Sequence, residues 1–114
     1  MQACKRCLVG STIKTEMKAI LFHPEAENEM IDSAIFYENR SNGLGHKFLD
    51  EIAHSLDLIS SSPNTWPVFS DGIRRFLLQR FPFCLLYEIH DDYIYIIAVM
   101  HLHRKPFYWK SRLK

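Results

Sequence analysis

The sequence has few cysteines and no long apolar run, and both absences narrow the class of protein. Its three cysteines cannot form a closed disulfide framework. No window approaches the roughly 20 consecutive apolar residues that a membrane-spanning helix needs. The N-terminus also has no continuous apolar core of signal-peptide length. We therefore expect a soluble protein of a reducing compartment, the cytoplasm.

Metal or cofactor chemistry has little support in the residue pattern. Cys4 and Cys7 form a lone Cys-x-x-Cys pair, whereas a structural zinc site normally needs four ligands. A metal pair of His101 and His103 would need a third ligand, for which His90 is the candidate. We therefore expect no metal and no cofactor.

The length of 114 residues fits one domain with a modest core. Residues 1–16 show neither helical nor strand periodicity, so we predict a flexible N-terminal extension followed by a folded domain over residues 17–114. Residues 66–114 carry eight basic and four acidic side chains, whereas residues 17–39 carry five acids and one lysine. This asymmetry suggests an anionic partner, either nucleic acid or an acidic protein segment, with ordinary solvated charge as the alternative.

Hydrophobic periodicity predicts the elements of the first half. Residues 18–22 form a short strand, and Pro24 marks the start of a helix that reaches about Asn39. A turn at residues 40–43 leads into a second helix from about Leu44 to Ser60, so the two helices form an antiparallel hairpin. Residues 65–72 are predicted to be a loop.

The second half is organised around residues 74–109. Three short runs rich in Ile, Leu, Val, Tyr and Phe are interrupted at Phe81-Pro82 and at Asp91-Asp92. This pattern predicts an antiparallel β-meander, and the most continuously apolar run, from Tyr93 to about His101, is predicted to lie centrally. The fold class is α+β in the order β-α-α-β-β-β, with the helical hairpin packed on one face of a mainly antiparallel sheet.

The other face of the sheet must meet solvent, a partner or the C-terminal tail. Since side chains alternate along a strand, Arg74 and Arg80 share one face and Arg75 lies on the other. Such a surface could bind a phosphodiester backbone or stack a base. The candidate binding residues are Arg74, Arg75, Arg80, His103, Arg104 and Trp109.

Metal-independent cleavage of RNA would need an acid, a base and cations for the transition-state charge. The catalytic candidates are Arg75, His101, Arg104 and Tyr108. The alternative for the histidines is a polar, hydrogen-bonded strand end. The alternative for Tyr108 and Trp109 is that they pack the C-terminal tail against the sheet.

Five strings in this order resemble the RelE/ParE superfamily of toxins from type II toxin–antitoxin modules, and the ParE, or plasmid-stabilisation, branch fits best. The strings, within residues 17–112, are PEAENEMIDSAIFYE, GLGHKFLDEI, SSPNTWP, IRRFLLQRFPFCLLYEI and IAVMHLHRKPFYWKSR. The resemblance implies a small bacterial toxin that forms a hetero-oligomer with a cognate antitoxin. RelE-like members cleave messenger RNA on the ribosome, whereas characterised ParE members inhibit DNA gyrase.

The resemblance also implies where an RNA-cleaving site would lie, and this sequence departs from it. A RelE-type site uses lysines and arginines on adjacent strands and a C-terminal tyrosine. Cys84 stands where the arginine is expected, and Leu77 and Gln79 replace basic positions on the neighbouring strand. Tyr108, Arg75 and Arg104 remain as matches. The departures favour a ParE-like toxin that acts by binding; an mRNA interferase and a non-toxic interaction domain remain alternatives.

Overall fold

Two helices pack on one face of a five-stranded sheet in the computed structural model, which describes residues 18–105 and 107–113. The predicted extension, residues 1–16, lies outside the described residues. In chain order the elements are β1 Ala19–Phe22, α1 Pro24–Arg40, α2 Leu44–Ser61, β2 Val68–Ser70, β3 Ile73–Leu77, β4 Phe83–Ile89 and β5 Tyr93–His101, with short 3-10 turns at Pro63–Thr65 and Tyr108–Arg112. The predicted α+β fold is confirmed, with one strand added.

Local interactions explain where the helices begin and how closely they approach. His23 caps α1, because its Nδ1 accepts the backbone N–H of Glu25 at 3.1 Å. At the start of α2, the Glu38 carboxylate accepts the N–H groups of Gly43 and Gly45 at 2.9 and 3.0 Å. A Cβ atom at Gly45 would lie 2.5 Å from the carbonyl oxygen of Ala34, so the hairpin requires glycine at this position.

The strand order is β1-β5-β4-β3-β2. Strand β1 pairs in parallel with β5, a point that periodicity left open, and the other pairs are antiparallel. The apolar strand β5 is an interior strand as predicted, but the middle position belongs to β4.

Two sequence expectations around β3 are corrected. The predicted loop over residues 65–72 contains the edge strand β2, which is too short to show a period of two and is recognisable only by its pairing with β3. Strand β3 ends at Leu77, so Arg80 does not share a strand face with Arg74. Arg80 lies in the β3–β4 turn, where Glu51 of α2 accepts its backbone N–H at 3.2 Å.

Each face of the sheet has its own apolar core. The helix-side cluster includes Phe48, Ile52, Phe76, Leu85 and Ile96. On the other face a second cluster contains Ile73, Cys84, Leu86, Ile97, Ala98, Met100 and Trp109. Among the described residues, no helix combines the length and the apolar character needed to cross a bilayer.

Candidate functional site

Residues 107–113, hereafter the C-terminal strap, cover part of the sheet face opposite the helices. Trp109 of the strap is fully buried and packs in the cluster that contains Cys84 and Leu86. The tail-packing alternative for Trp109 therefore describes its position, and its ring is not accessible to a partner while the strap is closed.

The strap also completes an unfinished strand edge. Strand β1 pairs with residues 93–96 of β5, and no other strand among residues 18–105 and 107–113 pairs with the following part of that β5 edge. Here Glu29 of α1 accepts the N–H of Val99 at 3.1 Å, and Arg112 of the strap donates to the carbonyl oxygen of Ile97 at 3.0 Å. Buried backbone groups need such partners, so α1 and the strap replace the missing strand.

Glu29 joins α1 to the basic end of the chain. Its carboxylate accepts hydrogen bonds from Arg112 at 3.1 and 2.9 Å and from the Tyr108 hydroxyl at 2.6 Å. The guanidinium of Arg104 lies 3.8 Å from the same carboxylate. We call these four side chains the Glu29 clasp. The Glu29 and Arg112 side chains are only 14% and 10% exposed, so their ion pair is nearly shielded from solvent.

The clasp changes the proton affinity of Tyr108. Burial raises the pKa of the Tyr108 hydroxyl far above its ordinary value, and the hydrogen bond to Glu29 and its negative charge raise it further. Arg104 stacks on the same ring, with its guanidinium carbon 3.9 Å from the ring centroid. The Tyr108 hydroxyl is therefore neutral and donates its proton in the hydrogen bond to Glu29. To transfer a proton to a substrate, Tyr108 would first have to break this hydrogen bond.

A second set of contacts lies where the strap meets β2 and β3. The rings of Phe69 and Phe107 are stacked, with centroids 5.8 Å apart. Arg75 lies 4.7 Å from the centroid of Phe69, and Lys110 lies 5.1 Å from that of Phe107. Both rings are partly exposed. Each ring of this aromatic pair therefore has a cation over it.

His101 is the last residue of β5, and His103 lies in the turn that follows. The Nδ1 atom of His101 accepts the backbone N–H of His103 at 3.0 Å, and the two rings are 5.3 Å apart. Because this Nδ1 accepts, the proton of the neutral ring lies on Nε2. Arg104 continues the same turn, since its N–H binds the carbonyl oxygen of His101 at 2.9 Å. His103 and Arg104 are exposed.

The remaining predicted residues lie elsewhere. Arg74 faces the helix side and donates to the carbonyl oxygen of Trp66 at 2.6 Å. Arg80 borders a groove of about 370 Å³ between α2 and the β3–β4 turn, which also contains Lys47 and Glu51. The fold therefore brings Arg104 and Tyr108 into contact. The two histidines precede Arg104 in the chain, with the His101 ring against Phe83, and Arg74 and Arg80 lie apart from this group.

The positions at which the sequence departs from a RelE-type site differ in environment. Cys84 is fully buried, and burial raises the pKa of its thiol to about 11 against a smaller opposing effect of Arg75. Leu77 is 50% exposed. Gln79 lies in the β3–β4 turn, where its backbone N–H binds the carboxylate of Glu51. A cation could be accommodated at Leu77 but not at Cys84, because an unpaired buried charge is prohibitively costly.

Sequence reasoning missed the two residues on which the clasp depends, Glu29 and Arg112. In the sequence, Glu29 contributes to the acidic charge of α1 and has no other distinguishing feature except its spacing. It follows the buried Ala26 by three residues and so borders the inward side of the helix.

Across residues 18–105 and 107–113, no three His, Cys, Asp or Glu side chains are grouped so that they could hold a metal ion.

Comparison with known proteins places the fold. No family model matches the chain, and no curated protein sequence matches it. A solved structure described as "Chromosomal ParDE TA system from P. aeruginosa" contains a chain that is similar to this one, with a TM-score of 0.66 and 17% sequence identity. The similarity covers 78% of this chain and 100% of the other. The expected RelE/ParE-like fold is therefore confirmed.

Proposed function

We propose that this chain is the toxin component of a bacterial type II toxin–antitoxin module, acts in the cytoplasm by binding an essential target, and is neutralised by a cognate antitoxin. The observation that carries the proposal is the likeness to the ParDE-system chain, which extends over that chain's whole length. DNA gyrase is the candidate target, because it is the one associated with the ParE branch that the sequence resembles.

The state of the predicted site residues supports a toxin that binds rather than cleaves. Tyr108 and Arg104 are engaged by Glu29, Arg75 lies over Phe69, and Cys84 is fully buried. General acid–base catalysis needs a group whose pKa lies near the working pH, whereas the pKa of Tyr108 is far above it. Contact between surfaces requires no such group.

The antitoxin that fits this surface is an apolar and acidic segment lying beside the meander and the C-terminal strap. Arg75 lies over the partly exposed ring of Phe69, which stacks on Phe107, and Arg104 lies over Tyr108 of the strap. Opposite charge across such an interface mainly raises the association rate and specificity. Arg74 lies on the opposite face, so its contribution is separable from that of the other two.

Growth of a bacterial host tests the toxin assignment. We expect arrest when the chain is expressed alone and recovery when the neighbouring gene is expressed with it. Unaffected growth with soluble, folded protein would favour a non-toxic interaction domain. The target is tested by adding purified protein to a gyrase supercoiling assay. If a large molar excess does not inhibit supercoiling, gyrase is excluded as the target, and the toxin assignment is unaffected.

The antitoxin surface is tested with variants matched for charge. Arg75→Ala together with Arg104→Ala is expected to weaken antitoxin binding and flatten its dependence on salt. Arg40→Ala together with Lys47→Ala removes two exposed cations of the helical hairpin, away from this surface, and serves as the control. Equal affinities of the double variant and the control would contradict the docking surface.

One observation keeps an mRNA interferase as the second candidate function. His101 and His103 have neighbouring rings at the end of β5, and Arg104, which follows them in the same turn, lies over the ring of Tyr108. Such groups could transfer protons and stabilise a phosphorane. Substitution of His101 and Tyr108, treated in the Discussion, separates this function from binding.

A further inference from the structure

We propose that the C-terminal strap opens as a unit from the folded protein, and that Glu29 is the positioning residue that holds it closed. The inference goes beyond the proposed function, because it concerns how the chain itself covers and uncovers one face of its sheet. Its test does not depend on the identity of any target.

Two features of the strap oppose the closed state. Phe107 has φ of +62°, a left-handed conformation that is unfavourable for a bulky aromatic residue. Trp109 Nε1 is buried and has no hydrogen-bond partner among the described residues. A buried donor without a partner forfeits the hydrogen bond that it makes to water when exposed. Opening relieves both penalties.

The contacts that favour closure are unequal. Lys110 binds Asp71 at 3.0 Å, but both side chains are about half exposed, so water screens this pair and it contributes little. Glu29 and Arg112 are mostly buried and bidentate, and breaking such a pair from one side is strongly unfavourable. Burial of the Trp109 ring adds apolar stabilisation. Among these contacts, the ion pair of Glu29 with Arg112 stabilises the closed strap most. Loss of the Glu29 charge should therefore raise the population of the open strap most.

Opening need not unfold the rest of the chain. The helix-side cluster, with Phe48, Ile52 and Leu85, contains no residue of the strap, and β4 keeps its pairing with β3 and β5. Segments with few contacts to the main core open at lower free energy than the whole domain. The strap meets this description, because its one fully buried side chain is Trp109.

Cys84 provides a built-in measure of the opening. Its side chain is fully buried in the cluster that Trp109 covers, so a thiol reagent reaches it only when the strap leaves. A Cys4→Ser/Cys7→Ser background leaves Cys84 as the one thiol of the chain. An exposed thiol reacts as thiolate, so the labelling rate follows the open population.

The experiment measures labelling of Cys84 in three chains that share this background: the parent, Glu29→Gln, and Glu27→Gln. Glu27 is an exposed acid on the same helix and controls for charge. We expect Glu29→Gln to accelerate labelling about 100-fold or more, the factor that corresponds to loss of one side of a buried ion pair. Glu27→Gln should leave the rate unchanged within about twofold.

The dependence of the rate on denaturant separates strap opening from global unfolding. Local opening exposes little surface, so the parent's labelling rate should be nearly constant at low urea and rise steeply only near the unfolding transition. A rate in the parent that follows global unfolding at all urea concentrations would overturn the proposal, even if Glu29→Gln failed to fold. Equal rates for the folded Glu29 and Glu27 variants would overturn the role of Glu29.

Discussion

Arg112 binds both carboxylate oxygens of Glu29, at 3.1 and 2.9 Å, across 83 positions of sequence. Through this pair, part of the basic charge of the C-terminal half is neutralised within the chain by the acidic helix. The charge asymmetry of the sequence therefore has an internal component, and the cations that remain for a partner are exposed ones outside the Glu29 clasp, such as Lys105.

Because Arg112 pairs with the mostly buried Glu29, we expect its replacement to lower the free energy of unfolding. Arg112→Met keeps much of the side-chain volume but leaves the Glu29 charge and the Ile97 carbonyl oxygen without their partner. We expect a loss of about 3 kcal/mol in the free energy of unfolding, measured by urea denaturation. Lys105→Met, at an exposed position, should change it by less than about 0.5 kcal/mol. Similar values for the two variants would show that the pair does not stabilise the fold.

The helical hairpin predicts an effect of adding a single methyl group. Gly45→Ala places Cβ 2.5 Å from the Ala34 carbonyl oxygen, so the helices must move apart despite the higher helix propensity of alanine. We expect a loss of about 1–3 kcal/mol. The control Ala53→Ser changes an exposed position of α2 and should be nearly neutral. A Gly45→Ala chain as stable as the parent would mean that the hairpin adjusts without cost.

Tyr87 predicts a loss of stability at alkaline pH. Burial raises the pKa of its hydroxyl from 10.0 to about 12, although nearby Arg74 lowers it, and the hydroxyl donates to the Pro63 carbonyl oxygen at 2.8 Å. Since the folded pKa exceeds the unfolded one, this stabilisation is complete below pH 10 and is lost as pH rises toward about 12.

Tyr87→Phe isolates this effect. The variant should be about 1 kcal/mol less stable at pH 7, because a hydrogen bond is lost. Its stability should fall less steeply than that of the parent between pH 10 and 12. Parallel pH profiles, measured by urea denaturation at each pH, would contradict the assignment of the alkaline loss to Tyr87.

A toxin that acts by binding and an mRNA interferase should respond differently to His101→Ala and Tyr108→Phe, with growth arrest as the measured quantity. If the chain acts by binding, both variants should retain growth arrest at equal soluble expression, because neither removes an exposed cation. An mRNA interferase that used these groups should lose activity by about 100-fold or more. Expression with parallel readouts of DNA damage and translation distinguishes the two; loss of arrest in either folded variant would support the interferase.

We expect a lysine to be tolerated at position 77 but not at position 84, because Leu77 is half exposed and Cys84 is buried. Leu77→Lys places a charge at a half-exposed position and should alter stability by less than about 0.5 kcal/mol. Cys84→Lys buries an unpaired charge and should prevent folding. Circular dichroism and thermal denaturation measure both. A well-folded Cys84→Lys chain would show that the strap yields readily at this position.

The sequence by itself determined the helical hairpin, the meander and the order of elements. These follow from periodicity and turn residues, which are local properties: Pro24 marks the start of α1, and Asp91-Asp92 separates β4 from β5. The resemblance pointed to the same fold through the order of several strings. Such signals need no knowledge of which distant residues meet.

Only the tertiary structure decided how the C-terminal residues are used. The pairing of Glu29 with Tyr108 and Arg112 joins positions about 80 residues apart, and no local pattern encodes a partner at that distance. Strand β2 became visible only through pairing with β3, because three residues are too few to show alternation. The buried state of Trp109 likewise depends on how the strap closes over β4 and β5, which is a property of the assembled sheet.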